Sequence, residues 1–218
     1  MRSTLRTALR LLTSACLVLS LVAILASKAE TQGKQSPSGP FQVTSSTFTN
    51  RSTLPISTIN NIVQNGVNLC SIDGSTGGNE SPELSWTNAP ARTQSFVVVL
   101  YDVTAAFTHW GMYNIAGTAT GLPKNAGVAG SSHGTQIVND FLTGAAYGGP
   151  CPPEGVVPFV HHYVFTVYAL DTTLHLPSSK NFPANAETLY HALIAAARSD
   201  HILAITSMVG LYSTTPGK

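Results

Sequence analysis

The sequence predicts a mainly β protein of one domain, built on a largely antiparallel sheet. Several segments are rich in β-branched and aromatic residues, and only one has helical periodicity. Strand and helix patterns do not alternate as a parallel sheet requires. The chain has 218 residues, of which 43% are hydrophobic, so it can build a core and is not intrinsically disordered.

The strongest strand prediction is 95–102, which is apolar on both faces until it ends at Asp102. Such a pattern is typical of a central strand that is buried on both sides. Five further segments have strand character: 41–47, 84–86, 109–115, 161–170 and 201–213. Three segments dominated by turn-forming residues are predicted to be loops: 64–82, 121–133 and 147–155.

The single predicted helix covers residues 186–199. Leu189, Leu193 and Ala197 recur at four-residue spacing and give it one apolar face. Asn185 precedes this pattern and is a suitable N-cap.

Charge excludes one class of function. Charged residues make up only 10% of the chain, and the formal net charge is +1. Binding many nucleic-acid phosphates requires a basic stripe, and the sequence contains none. We therefore expect no nucleic-acid partner.

Residues 1–29 have the pattern of a secretory signal peptide. Three arginines precede an uncharged run, 11–26, and small residues stand at the positions expected before a cut ahead of Glu30. The alternative is an uncleaved anchor, although the run has 16 residues and a spanning helix needs about 18 or more. The rest divides into a flexible linker at 30–40, a domain at 41–213 and a disordered tail at 214–218.

Cleavage changes both the charge and the cysteine count. It removes four of the 11 basic residues and none of the 10 acidic ones, which leaves a formal charge of 7 − 10 = −3. It also removes Cys16 and leaves Cys70 and Cys151. In an exported protein these two cysteines are expected to form a disulfide, and two separate structural thiols are the alternative.

Four motifs follow one another in the chain. They are Ser-Pro-Glu-Leu-Ser-Trp at 81–86, the strand at 95–102, His-Trp at 109–110 running into Tyr-Asn-Ile at 113–115, and Tyr-Gly-Gly-Pro-Cys-Pro-Pro at 147–153 followed by His-His-Tyr at 161–163. In this order they resemble the phosphatidylethanolamine-binding protein (PEBP) family, in its bacterial Raf-kinase-inhibitor-like branch, across 41–213. The resemblance implies a PEBP-like fold, in which a large central antiparallel sheet packs on a smaller sheet with one or two peripheral helices. It also implies a small anion-binding pocket at one end of the sheet.

The resemblance assigns seven residues to that pocket: Asp102, His109, Gly149, Pro152, Pro153, His161 and Tyr163. Strand alternation independently places His161 and Tyr163 on one face. The pocket imidazoles, as imidazolium, and the phenol can bind one phosphoryl group, together with backbone amides of the glycines in the proline-rich turn. Asp102 is expected to orient or charge a histidine, and one X–Pro bond of the turn is expected to be cis.

The segment after Asp102 departs from the family pattern. The family usually has Asp-Pro-Asp-Ala-Pro, whereas residues 102–106 are Asp-Val-Thr-Ala-Ala. The second acid and both prolines are missing, so this rim of the pocket is expected to differ.

We therefore expect a secreted or periplasmic binding protein for a phosphate-like or other anionic ligand, such as a phospholipid head group or a phosphorylated small molecule. We expect it to be non-catalytic and without a cofactor. We also expect no metal site, because the adjacent His161 and His162 face opposite sides of a strand. One alternative is an interaction module that inhibits a protease or a kinase through an exposed loop at 64–82 or 121–134. Another is an enzyme with Asp102 and His109 as an acid–base pair, although no common catalytic motif is present. Peripheral contact with lipid also stays open.

Overall fold

The structure is a computed structural model that describes residues 39–218. The predicted signal peptide, residues 1–29, and residues 30–38 of the predicted linker lie outside the described residues. Within 39–218, no helix has both the length and the apolar character needed to cross a bilayer.

Residues 39–218 form ten strands, one α-helix and one 3-10 helical turn. The strands are β1 (Gln42–Thr44), β2 (Val63–Gln64), β3 (Val67–Asn68), β4 (Leu84–Thr87), β5 (Ser95–Asp102), β6 (Phe107–Ala116), β7 (Gly121–Leu122), β8 (Thr135–Gln136), β9 (His161–Leu170) and β10 (Ile202–Tyr212). The 3-10 turn is Ile56–Thr58, and the helix, α1, is Ala186–Arg198.

The strands form a large central sheet, a smaller sheet and a short hairpin. The central sheet has five strands in the order β10-β9-β5-β6-β8, and all its neighbouring strands are antiparallel. The smaller sheet has the order β1-β4-β7, and β2 pairs with β3. The predicted fold class, mainly β with a large antiparallel sheet and a smaller one, is confirmed.

The central strand β5 contributes to two hydrophobic cores. Phe96, Val98 and Leu100 belong to the core between the central sheet and the smaller sheet. Val97 and Val99 point the other way, into the core beneath helix α1. This alternation explains why the strand is apolar on both faces, because each face is covered by a different layer.

Helix α1 follows its sequence prediction to within one residue. The Asn185 side chain accepts a hydrogen bond from the Thr188 amide, and the Thr188 hydroxyl accepts one from the Asn185 amide. This capping box satisfies amides that the first helical turn leaves unpaired. Leu189 and Leu193 are buried against the sheet.

The differences from the sequence predictions lie in short elements. The predicted loop 64–82 contains part of the β2–β3 hairpin, and the predicted loop 121–133 begins with β7. Strands of two residues are too short to show any periodicity. Segment 147–155 has no regular structure, as predicted. Within the predicted tail, Thr214 is buried and donates to the Pro152 carbonyl.

Candidate functional site

A cavity of about 160 Å³ lies where β5 ends and β9 begins, beside the proline-rich turn. Strand pairing sets this meeting point, because Asp102 at the end of β5 lies opposite Tyr163 of β9. Six of the seven residues assigned to the pocket line the cavity: Asp102, His109, Pro152, Pro153, His161 and Tyr163.

Gly149 is the one assigned residue that does not line the cavity. Its amide donates to Asn79 Oδ1 at 2.7 Å, and the Gly148 amide donates to the His109 carbonyl at 3.0 Å. The expectation that glycine amides of this turn face an anion is therefore wrong. A side chain at Gly149 would collide with the Thr58 carbonyl oxygen, so glycine is needed there for close packing of the turn.

Asp102 orients His161. Its Oδ2 lies 2.6 Å from His161 Nδ1, and both side chains are buried. Its Oδ1 accepts the backbone amides of Thr104 and Ala105, at 2.8 and 3.2 Å, and so also holds the turn after β5. Asp102 is therefore placed to orient a histidine, as the sequence predicts, and that histidine is His161. The acid–base pair of Asp102 with His109, considered as an enzymatic alternative, is not formed.

His109 has a fixed tautomer. Its Nδ1 lies 2.8 Å from the Gly148 carbonyl oxygen, which can only accept, so Nδ1 carries the proton. The ring packs against the aromatic rings of Phe107, Phe141 and Tyr163, with centroids 4.9 to 5.3 Å apart. Nε2 is then the only polar atom of the ring that makes no hydrogen bond within residues 39–218.

Burial is the main influence on the charge of His109. It lowers the pKa of the imidazole, while the bond to the Gly148 carbonyl and the carboxylates of Asp102 and Asp140 act in the opposite direction. The net effect is a lowered pKa, so His109 is neutral near pH 7. The neutral ring disfavours the expected role of His109 as an imidazolium at that pH.

Tyr163 carries a buried hydroxyl without a partner. The residue is 0% exposed, and its hydroxyl is the one fully buried side-chain polar atom within 39–218 that makes no hydrogen bond. Burial, and secondarily the Asp102 charge, raise the pKa of the phenol, which therefore keeps its proton. Buried polar groups in folded proteins nearly always have a partner, so this hydroxyl is an unused donor on a residue that lines the cavity.

Cys70 and Cys151 form the predicted disulfide, with Cα atoms 4.4 Å apart. The bond ties the loop after β3 to the Pro152–Pro153 wall of the cavity. The expected cis bond is wrong for the proline-rich turn, because the cis peptide lies at Val157–Pro158.

Sequence reasoning missed the two aromatic walls of the cavity. Phe107 lies two residues before His109 on β6, so strand alternation could have found it. Phe141 comes from a loop distant in sequence, and no local pattern points to it. Within the described part of the chain, no group of three or more His, Cys, Asp or Glu side chains is arranged to hold a metal ion.

Several known proteins are similar to this chain. Residues 44–213 match the family described as phosphatidylethanolamine-binding protein. UPF0098 protein YbcL of Escherichia coli is 41% identical over 109 residues, which are 45% of this chain and 57%, little more than half, of that protein. A UPF0098 protein of Methanothermobacter thermautotrophicus is 37% identical over 141 residues, 62% of this chain and 84% of that one. The crystal structure of E. coli YbcL, described as a new member of the mammalian PEBP family, aligns with a TM-score of 0.62 and 32% identity over 80% of this chain and 99% of that one.

Proposed function

This chain belongs to the phosphatidylethanolamine-binding protein family, and we propose that it is an exported, non-catalytic binding protein for a phosphate-like anion. The ligand class includes phospholipid head groups and phosphorylated small molecules. The observation that carries the proposal is the unpartnered, buried hydroxyl of Tyr163, a residue that lines the same cavity as two imidazoles.

The charge around the cavity favours an anion. The Nδ1 atom of His161 donates to Asp102, so any further proton that His161 takes up lies on Nε2, from where it can be donated to a ligand. The Asp102 carboxylate accepts hydrogen bonds from His161 Nδ1 at its Oδ2 and from two backbone amides at its Oδ1. Its negative charge is therefore largely compensated before a ligand enters.

The size of the cavity limits the ligand. A volume of about 160 Å³ corresponds to about five water molecules at about 30 Å³ each. A phosphate group with a short substituent fits this space, whereas a whole phospholipid does not. With a phospholipid, the head group would enter and the rest would stay outside, which would amount to peripheral lipid contact.

The lining supports binding rather than catalysis. Asp102 orients His161, but the residues that line the cavity include no serine, threonine or free cysteine that His161 or His109 could activate as a nucleophile. The cysteine of the lining, Cys151, is held in the disulfide and is not a free thiol.

Calorimetric titration with inorganic phosphate and with phosphoethanolamine tests the proposal. We expect both to bind and Tyr163→Phe to weaken binding about tenfold or more, because a hydrogen bond to a charged group contributes about 1.5–3 kcal/mol. Tyr147→Phe is the matched control, since Tyr147 is buried but its hydroxyl donates to the Thr58 carbonyl. Absence of binding, or equal affinity in Tyr163→Phe, would contradict the proposal. Release of phosphate from phosphoethanolamine would contradict its non-catalytic part.

The proposed export depends on residues 1–29. The N-terminus of the protein, isolated from the medium or periplasm of the expressing cells and measured by mass spectrometry, should be Glu30. An intact N-terminus in the cytoplasmic fraction would refute export.

One observation favours the alternative of an interaction module that inhibits a protease or a kinase. Around the β2–β3 hairpin, five apolar side chains are 42–55% exposed: Ile62, Val63, Val67, Leu69 and Ile72. The register pairs Val63 with Asn68 and Gln64 with Val67, so Val63 and Val67 lie on opposite faces of the hairpin; exposed apolar side chains in such numbers are typical of a protein interface. If this alternative holds, Val67→Ser with Leu69→Ser should abolish inhibition of a target protease or kinase, and Tyr163→Phe should leave it intact. Inhibition that is absent, or lost only with Tyr163→Phe, would exclude the hairpin as an inhibitory surface.

A further inference from the structure

We propose that the pocket requires a hydrogen-bond donor on its ligand, and that it therefore binds hydrogen phosphate, or a singly protonated phosphate monoester, in preference to sulfate. The phosphodiester of a phospholipid carries no P–O–H, so a head group bound here would have to donate from its own ammonium or hydroxyl group. His109 is the residue that sets this requirement. The inference rests on the proposed function and deepens it by naming the protonation state of the ligand.

The free lone pair of the His109 ring lies on Nε2. His109 Nδ1 lies 2.8 Å from the Gly148 carbonyl oxygen and donates its proton to it, so Nε2 of the neutral ring is an acceptor. Nε2 has no hydrogen-bond partner within 39–218. It is not among the fully buried atoms that lack a partner, so part of its surface is accessible. Because the residue is only 3% exposed and lines the cavity, the accessible side of Nε2 is the cavity.

The imidazole ring of His109 stays neutral near pH 7. The charged and titratable groups around it are Asp102 on β5, Asp140 in the loop after β8, and His161 and Tyr163 on β9. The two carboxylates favour the protonated ring, but burial among aromatic rings outweighs them. Asp140 is also engaged elsewhere, since its Oδ2 accepts the Thr108 amide at 2.7 Å.

The hydrogen-bonding groups of the cavity match hydrogen phosphate better than sulfate. Tyr163 supplies an O–H donor, whereas His109 supplies a lone pair. Sulfate has only acceptor oxygens, so one oxygen would face that lone pair. Hydrogen phosphate has the same shape and charge but carries an O–H that can donate to His109 Nε2. A site built to accept from a ligand O–H rejects an analogue without it by up to about 10⁴–10⁵-fold.

Competition between phosphate and sulfate tests the inference. Calorimetry at about pH 8 is suitable, because inorganic phosphate is then mainly the hydrogen phosphate dianion and matches sulfate in charge. We expect phosphate to bind at least about 30-fold more tightly. Sulfate binding within about threefold of phosphate would overturn the inference while leaving anion binding intact. Failure of both anions to bind would overturn the proposed function and this inference together.

A single variant assigns the selectivity to His109. In His109→Asn, the side-chain amide can still donate to the Gly148 carbonyl, but no acceptor stands at the position of Nε2. The phosphate-to-sulfate ratio should fall to about threefold or less. The matched control is His162→Asn, because His162 is exposed on the opposite face of β9 and should keep the wild-type ratio. A wild-type ratio in His109→Asn would refute the role of His109.

Methyl phosphate provides a second measurement that needs no variant. A phosphate monoester loses its last proton with a pKa of about 6, whereas inorganic phosphate keeps one at higher pH. The affinity for methyl phosphate relative to inorganic phosphate should therefore fall between about pH 5.5 and pH 8. Comparing the two ligands at each pH cancels those effects of pH on the protein that act equally on both. A constant ratio would overturn the inference.

Discussion

Removal of the Cys70–Cys151 disulfide should destabilise the fold mainly through the unfolded chain. The two cysteines are 81 residues apart in sequence. For a closed loop of that length, the chain-entropy model gives about 4.5 kcal/mol at 25 °C. The folded loop should keep its place in part, because the buried Asn68 side chain donates to the carbonyls of Asn60 and Ser75.

The assay is urea unfolding of the oxidised protein and of the double variant Cys70→Ala with Cys151→Ala. The buried Trp86 and Trp110 provide the fluorescence signal. We expect the free energy of unfolding to fall by about 3–4.5 kcal/mol, and the melting temperature by about 6–18 °C. The urea m-value should rise, because an unfolded chain without the cross-link exposes more surface.

The same variant measures how far the disulfide supports the pocket wall. A second contact holds this wall, since the Thr214 hydroxyl donates to the Pro152 carbonyl at 2.7 Å. Phosphate binding should therefore weaken by only about two- to tenfold, and adding Thr214→Val should weaken it further. A reductant should have no effect on the double variant, which controls for effects on other groups. A stability loss under about 1 kcal/mol, or an unchanged m-value, would refute the unfolded-chain argument.

Three further predictions concern single residues. In chemical denaturation, Tyr163→Phe should leave the free energy of unfolding unchanged or raise it by up to about 2 kcal/mol. Tyr147→Phe should lower it by about 1–2 kcal/mol, because it loses a hydrogen bond to a carbonyl. The opposite order would show that the Tyr163 hydroxyl already has a hydrogen-bond partner. Because the pKa of His109 is lowered from its usual value, the unfolded chain binds a proton there more readily than the folded chain as the pH falls. Stability should therefore fall from about pH 7 to pH 5, and less steeply in His109→Asn, the difference being at most about 1.4 kcal/mol per pH unit; parallel curves would contradict the lowered pKa. Asn185→Ala should cost about 1 kcal/mol by removing the helix cap, and Asn185→Asp should restore most of it; equal loss in both would mean that the cap contributes little.

The elements that the sequence predicted well are those whose pattern is long enough to measure. β5 and β9 agree at both ends, because their 8 and 10 residues are dominated by buried β-branched and aromatic side chains. Alternation along β9 also placed His161 and Tyr163 on one face, and both line the cavity. The two-residue strands of the β2–β3 hairpin were missed, because their pairing depends on a turn and on contacts with distant residues.

The roles within the site were harder to predict than its members. The motif around Gly149 is local, but the use of its amide is decided by Asn79, which lies 70 residues earlier in the chain. Which histidine Asp102 contacts is likewise a matter of how β5, β6 and β9 sit side by side. The sequence placed both histidines near the acid, and only the strand register pairs it with His161.

His109 and His161 show why residue type alone does not define a binding site. Both are buried, and both use Nδ1 within the fold, but one bonds to a neutral carbonyl and the other to a carboxylate. A carbonyl leaves the buried ring neutral and its Nε2 an acceptor, whereas a carboxylate can balance a second proton and make Nε2 a donor. Exchanging the Nδ1 partners would therefore exchange the chemistry that each ring presents to the cavity.

Asp102→Asn tests this directly. It replaces the charged acceptor that orients His161 by a neutral amide, so phosphate affinity should fall about tenfold or more, while the preference for phosphate over sulfate, which depends on His109, should persist. Loss of the preference together with the affinity would show that the two rings do not act separately.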